Sequence, residues 1–471
     1  MHTTTRGALR VSGILVALAA ATSGCGPDAP ADGASGRSSG RPSAKSPSSS
    51  PAKQGLGDIL VGGKAVTGSQ PSGLAKVPYR RTYTDGALYA PVTGYRSMAF
   101  GASGLERVYD DVLGAGASGA AQGDVATTIE PAVQKAAFDA LGDRRGAAVA
   151  LDAESGKLLA LVSTPSYDPA MFSGRSAKDA QAWKSVLGDS RSPMLNRALR
   201  QADAPGATFS VVVAAAALEQ GLYTTVDDAT VSPLAYVLPL STTRVTGASS
   251  ACVNASIRVA LRLSCANVFT KLAAELGQDR LRSVAEKFGF DDDRLDVPLR
   301  VAESSYPQAG TSAPAAALTG MGAGDVRATV LQMARVAAAV ANDGRLVPPR
   351  LVERVTTADG TARKPEAGSG SPVQAVSRGT AQALRAALGA ADRRGGSPAA
   401  GATRRPRGSS VTRRRPADGV SPWPSVWKVC PPRQARTRTA AGVRRPGWRR
   451  RSSPAPVVEP ADSPARAGRP T

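Results

Sequence analysis

Two short runs set the strongest limit on what this chain can fold into. Gly146–Asp152 and Lys157–Thr164 are apolar on both faces, and the turn Ala153-Glu154-Ser155-Gly156 joins them. A strand with one wet face alternates polar and apolar residues, whereas a strand without alternation is buried on both sides. The two runs therefore predict an antiparallel hairpin covered by helices. Ala207–Leu218 is apolar all round, which suits a core helix and is too short to cross a bilayer. Ile257–Leu263, Val268–Leu276, Ala328–Asn342 and Thr380–Ala390 read as further helices, and Asp343-Gly344 supplies a C-terminal stop. Upstream, Ile59–Val66 reads as a hairpin across Gly62-Gly63. Thr127-Thr128-Ile129-Glu130-Pro131 reads as the start of a helix reaching about Leu141, with a threonine cap and a proline in the first turn. The predicted fold class is α+β: a helix-covered antiparallel sheet preceded by a small β-rich module.

Chemistry is limited by one count. The 471 residues contain a single histidine, His2. A histidine general base or a histidine-rich metal site in the body of the chain is thereby excluded. Four scattered cysteines do not make a zinc module, so no metal and no cofactor are expected. The net charge of +22 suggests nucleic acid until it is located. Arg393–Thr471 holds 18 arginines and Lys428 against Asp418, Glu459 and Asp462, which is +16 of the total. The body is ordinarily charged, and no nucleic-acid partner is expected. The tail, 393–471, is rich in Pro and Arg and has three readings: a basic arm for anionic polymers, a disordered extension, or the translation of a shifted reading frame in GC-rich DNA. The third is preferred.

The N-terminus reads as an export signal. Arg6 and Arg10 precede the short apolar run Val11–Ala21, and Thr22-Ser23-Gly24-Cys25 resembles a lipobox with Cys25 as the lipidated residue. Simple cleavage and an uncleaved anchor are the alternatives. The expected organisation is a signal at 1–25, a flexible linker at 26–55, a β-rich module at 56–122, a main domain at 123–392 and the tail at 393–471.

The chain resembles the class B penicillin-binding proteins of actinomycetes. The likeness is carried by Gly57–Lys64, Tyr83–Tyr95, Thr127–Ala137, Val162–Pro169, Met194–Ala198, Gly320–Ala334 and Val336–Gly344, in the family's order, over about 57–392. It implies a transpeptidase-type sheet and an exported D,D-transpeptidase that cross-links peptidoglycan stem peptides and is acylated by β-lactams. It implies a place on the outer face of the cell membrane, held there by the signal or a lipid. In that chemistry a serine attacks a D-Ala carbonyl and a lysine one helical turn on takes its proton. An S-x-N motif and a K-T-G strand complete the site.

Each of these motifs is altered here. The frame Ala204-Pro205-Gly206 is followed by Ala207 at the serine position and Ser210 at the lysine position. Ser210 reads either as a displaced nucleophile or as a polar residue in a helix's first turn. Ser264 opens the second motif, but Ala266 stands where asparagine belongs, and Asn267 is about 100° round the helix from that position. Ser264 itself reads equally as a small residue packed at a helix junction. No Lys-Thr-Gly occurs after Gly344, and nothing after Arg393 resembles the family. The expectation is a catalytically defective member with an incomplete sheet, binding stem peptide or β-lactam noncovalently at best; the alternatives are a noncatalytic cell-wall peptide-binding or scaffold protein and a live enzyme using Ser210 or Ser264. Cys252 and Cys265, 13 apart, read as a disulfide or as two buried thiols.

Overall fold

The computed structural model describes residues 54–115, 123–295, 297–363, 365 and 370–389, and the backbone of 425–428. The export signal with Cys25, nearly all of the linker, and the tail apart from 425–428 lie outside the described residues. Among the described residues no helix is long and apolar enough to cross a membrane.

Strands β1 (Ile59–Val61) and β2 (Lys64–Ala65) pair antiparallel across Gly62-Gly63. Both glycines have positive φ, the left-handed geometry that two-residue hairpins need. β3 (Gly123–Thr127) then lies parallel to β1, with Ile59 opposite Val125. Helix α1 (Pro131–Leu141) follows with Pro131 at its first position. Its cap is Glu130 rather than a threonine. The Thr128 hydroxyl is engaged elsewhere, donating to Leu158 O (2.7 Å) and Arg350 O (2.9 Å).

β4 (Gly146–Leu151) and β5 (Leu158–Thr164) form the antiparallel hairpin, Val149 opposite Leu161. Its two faces carry different partners. Ala148 and Val162 pack on Leu141 of α1. Val149, Leu151, Leu158 and Leu161 belong to a second cluster with Ala198, Leu199, Leu331 and Ala334. Burial on both sides explains the lack of alternation.

The helical half begins with a 3₁₀ turn at Gly206–Phe209 that runs into α2 (Ser210–Glu219), so the apolar stretch is not α-helical from its start. Val211 to Ala217 are buried, as an all-apolar helix requires. α3 (Ile257–Leu263) is capped by Ser256 Oγ, which accepts from Val259 N. α4 (Ala266–Leu276) begins two residues earlier than the apolar pattern predicts. α5 (Val330–Ala341) is capped by Thr329 and is buried along nearly its whole length.

β6 (Val352–Thr357) and β7 (Ala362–Arg363) return to the N-terminal strands. β6 pairs antiparallel with β3, Val355 opposite Val125, and the result is a mixed five-stranded sheet in the order β7-β6-β3-β1-β2. This sheet draws strands from both sides of residue 122. α6 (Arg378–Gly389) ends the continuous fold.

Of the tail, only a four-residue strand is described. Within a stretch whose composition predicts disorder, β8 (Ser425–Lys428) pairs antiparallel with β4, Trp427 opposite Val149, and brings that sheet to three strands. The physical reason is the open edge of β4, whose unpaired N–H and C=O groups accept an extended segment whatever its sequence origin.

Candidate functional site

Gly206 has φ +59, and this bend sets the direction of the 3₁₀ turn and of α2 behind it. Thr208 Oγ1 donates to Pro205 O at 2.7 Å and fixes the turn. Ala207 lies exposed on it, while Ser210 is 4% exposed at the head of α2. A methyl group therefore occupies the open position, and the hydroxyl one turn on is buried.

The turn is braced by the segment Thr319–Met321. Gly206 N donates to Gly322 O at 3.0 Å. A Cβ on Gly322 would stand 2.1 Å from Gly206 O, and one on Gly320 would stand 2.0 Å from Phe269 O. Two glycines thus let one backbone segment wedge between the 3₁₀ turn and α4. Thr319 Oγ1 lies 3.0 Å from the Tyr306 hydroxyl. The Phe209 ring meets Phe290 edge-on at 5.4 Å and stacks on Tyr306 at 6.0 Å. Arg282 sits over the Tyr306 ring at 5.7 Å. Burial pushes the Tyr306 phenol up, so it stays neutral at ordinary pH.

Ser264 ends α3 in the left-handed conformation, φ 53 and ψ 50, with its side chain exposed. A non-glycine residue there costs on the order of 1 kcal/mol and persists only when its neighbours impose it. They do so here. Cys265 is joined to Cys252 by a disulfide, with Cα atoms 5.5 Å apart. Asn267 is fully buried and its Nδ2 donates to Pro233 O (2.8 Å) and Cys252 O (2.9 Å). Asn267 therefore ties the Cys252 loop to α4 and faces the core. Ala266 is the first residue of α4, half-buried.

The structure brings together the Ala207 turn, the 319–322 segment and α4. It does not surround Ala207 with ionisable groups drawn from its own turn, because residues 204–210 contain none. Among the described residues no group of three or more His, Cys, Asp or Glu side chains converges to hold a metal ion. The bracing glycines escaped sequence reasoning as site residues, although the Gly320-Met-Gly322 spacing was the signal for them.

Comparison with known proteins gives two family matches. Residues 146–409 match the penicillin binding protein transpeptidase domain, and residues 56–135 match the penicillin binding protein A dimerisation domain. The first match runs past residue 392, so the expected end of likeness there is corrected. The peptidoglycan D,D-transpeptidase PbpA of Mycolicibacterium smegmatis is 37% identical over 331 residues, 64% of this chain and 66% of that protein. Its namesake in Mycobacterium tuberculosis is 36% identical over 320 residues, 63% of this chain and 64% of that one. The chain thus spans a little under two thirds of the length of these relatives. Penicillin-binding protein A from M. tuberculosis, solved as an imipenem acyl-enzyme, superposes with a TM-score of 0.66 at 32% identity, covering 73% of this chain and 83% of that one. A D,D-transpeptidase domain from Eggerthella lenta gives 0.63 at 32% identity, covering 73% and 83%.

Proposed function

Because the chain belongs to the penicillin-binding protein transpeptidase family, we propose that it serves the peptidoglycan system as a member without acyl transfer. In this reading it is exported, held at the outer face of the membrane through its N-terminal signal or a lipid on Cys25, and meets stem peptides or β-lactams only noncovalently. The observation that carries the reading is the exposed methyl of Ala207 on the 3₁₀ turn that leads into α2. A methyl cannot attack a carbonyl, and loss of a nucleophile removes many orders of magnitude of rate. Ser210 does not replace it, being buried and without an amine one turn away.

A second reading takes Ser264 as the nucleophile. Its exposure and its left-handed backbone favour it, since strained, open positions gather at reactive sites. Fluorescent penicillin separates the two. The first reading expects no covalent band from the wild-type chain. A band that persists in Ser210→Ala and disappears in Ser264→Ala overturns it in favour of the second.

A further inference from the structure

A cavity of 640 Å³ lies apart from the residues of the Ala207 turn and is bounded by Gly289, Phe290, Asp292, Asp293, Arg335 and Leu346 among others. Arg335, on α5, is 5% exposed. Its Nη1 donates to Gln332 Oε1 at 2.8 Å, and its Nε has no hydrogen-bond partner among the described residues. Gln332 is itself fixed, its Nε2 donating to Phe288 O at 2.7 Å, so the guanidinium is aimed before any ligand arrives. Gly289, at φ +87, makes the room, since a Cβ there would stand 2.8 Å from Arg335 Nη1. A buried cation without a paired anion is costly unless something else compensates it. Burial holds Arg335 down at about 10, with Asp292 opposing the fall, so the group is still charged at neutral pH.

The acids at the cavity differ in their duties. Asp291 is occupied, accepting from Tyr306 N at 3.0 Å and standing 3.6 Å from Arg282. Asp292 is half-buried, with its Oδ1 accepting from Arg294 N at 3.1 Å, and Asp293 is exposed. Glu286, Lys287 and Arg294 also line the cavity, so groups of both signs flank the approach to Arg335 and a simple anion meets carboxylates as well as cations. A simple cation would be repelled by the guanidinium. A molecule carrying both charges satisfies both ends.

We propose that this cavity binds a small amino-carboxylate, its carboxylate on the Arg335 guanidinium and its ammonium at Asp292 and Asp293. Calorimetric titration of the full chain at low salt tests this with ω-amino acids from glycine to 6-aminohexanoate, against hexanoate and hexylammonium. At least one amino acid of the series should bind ten-fold or more tighter than either single-charge probe. Arg335→Met should abolish that binding. Asp292→Asn, which leaves the buried arginine in place, should weaken it several-fold and improve hexanoate. Absence of heat with every amino acid overturns the proposal. So does unchanged binding in Arg335→Met or Asp292→Asn, or hexylammonium binding as tightly as the amino acids.

Discussion

Replacing Gly322 by alanine tests the brace beneath the Ala207 turn. Gly322 sits at φ +64, ψ 30, where any L side chain costs about 1 kcal/mol relative to glycine. The new methyl would also lie 2.1 Å from Gly206 O. To reach ordinary contact the two segments must part by roughly 1 Å. That movement breaks the 3.0 Å hydrogen bond from Gly206 N to Gly322 O, worth about 1 kcal/mol, and leaves its donor unpaired. Altogether the change should cost about 3 kcal/mol. The chain supplies its own control in Gly221, which has φ +67 in a Schellman turn closed by the hydrogen bond from Leu222 N to Ala217 O (2.9 Å) but nothing within 4 Å of its would-be Cβ. Gly221→Ala should therefore cost only the conformational part, about 1 kcal/mol. Urea unfolding followed by tryptophan fluorescence measures both, and an unchanged slope confirms that stability alone has shifted. If the two variants agree within about 0.5 kcal/mol, the close approach at Gly206 is wrong and the wedge carries no strain.

Two further outcomes follow from buried and partly buried charges. Burial pushes the Asp152 carboxyl up, but hydrogen bonds from Ser155 and Glu154 outweigh this and, with Lys157 nearby, hold it below the usual carboxylate range. Its native form thus binds protons less readily than its unfolded form. The β4–β5 turn should be fully stabilised above about pH 4 and lose that support as pH falls through the native value, and melting curves of Asp152→Asn should show a flatter acid limb. Arg81 is 1% exposed, and its Nε lies 2.7 Å from Glu106, whose other oxygen lies 2.9 Å from Arg96. Arg81→Met should cost about 3 kcal/mol or more in urea unfolding, because it strips one partner from a buried carboxylate, while Arg81→Met with Glu106→Leu should recover much of the loss. A double-variant cost equal to the sum of the separate Arg81→Met and Glu106→Leu costs would show that the two groups are not coupled.

The parts legible in the sequence are those fixed by local pattern. The β4–β5 hairpin declares itself because its runs are apolar on both faces, and α5 and α6 because caps and stops bracket their apolar stretches. Errors at the ends have local causes: Gly206 forces a 3₁₀ turn, and Thr128 spends its hydroxyl on distant carbonyls. The five-stranded sheet was not legible. β6 reads Val-Glu-Arg-Val-Thr-Thr, an edge-like string whose partner β3 lies about 230 residues away, and no local pattern encodes such a pairing. At the candidate site the frame around Ala207 and the altered positions were readable directly. Gly320 and Gly322 were not, because their purpose is an approach between segments far apart in sequence. Arg335 showed itself only as one charge in the apolar helix Val330–Ala341.

The pairing of β3 between β1 and β6 also dictates an order of assembly. β1, β2 and β3 are complete once residue 127 has been made, but one edge of β3 has no partner until residue 357 exists. Closing a loop of that length costs about 5 kcal/mol of chain entropy, to be recovered only when β6 docks. Until then the N-terminal strands present an open ladder of backbone groups, the place where a slow or halted chain would pair with another copy of itself. A chain stopped before Val352 keeps every residue of the β1–β2 hairpin and of β3, yet lacks the strand that closes the sheet over them.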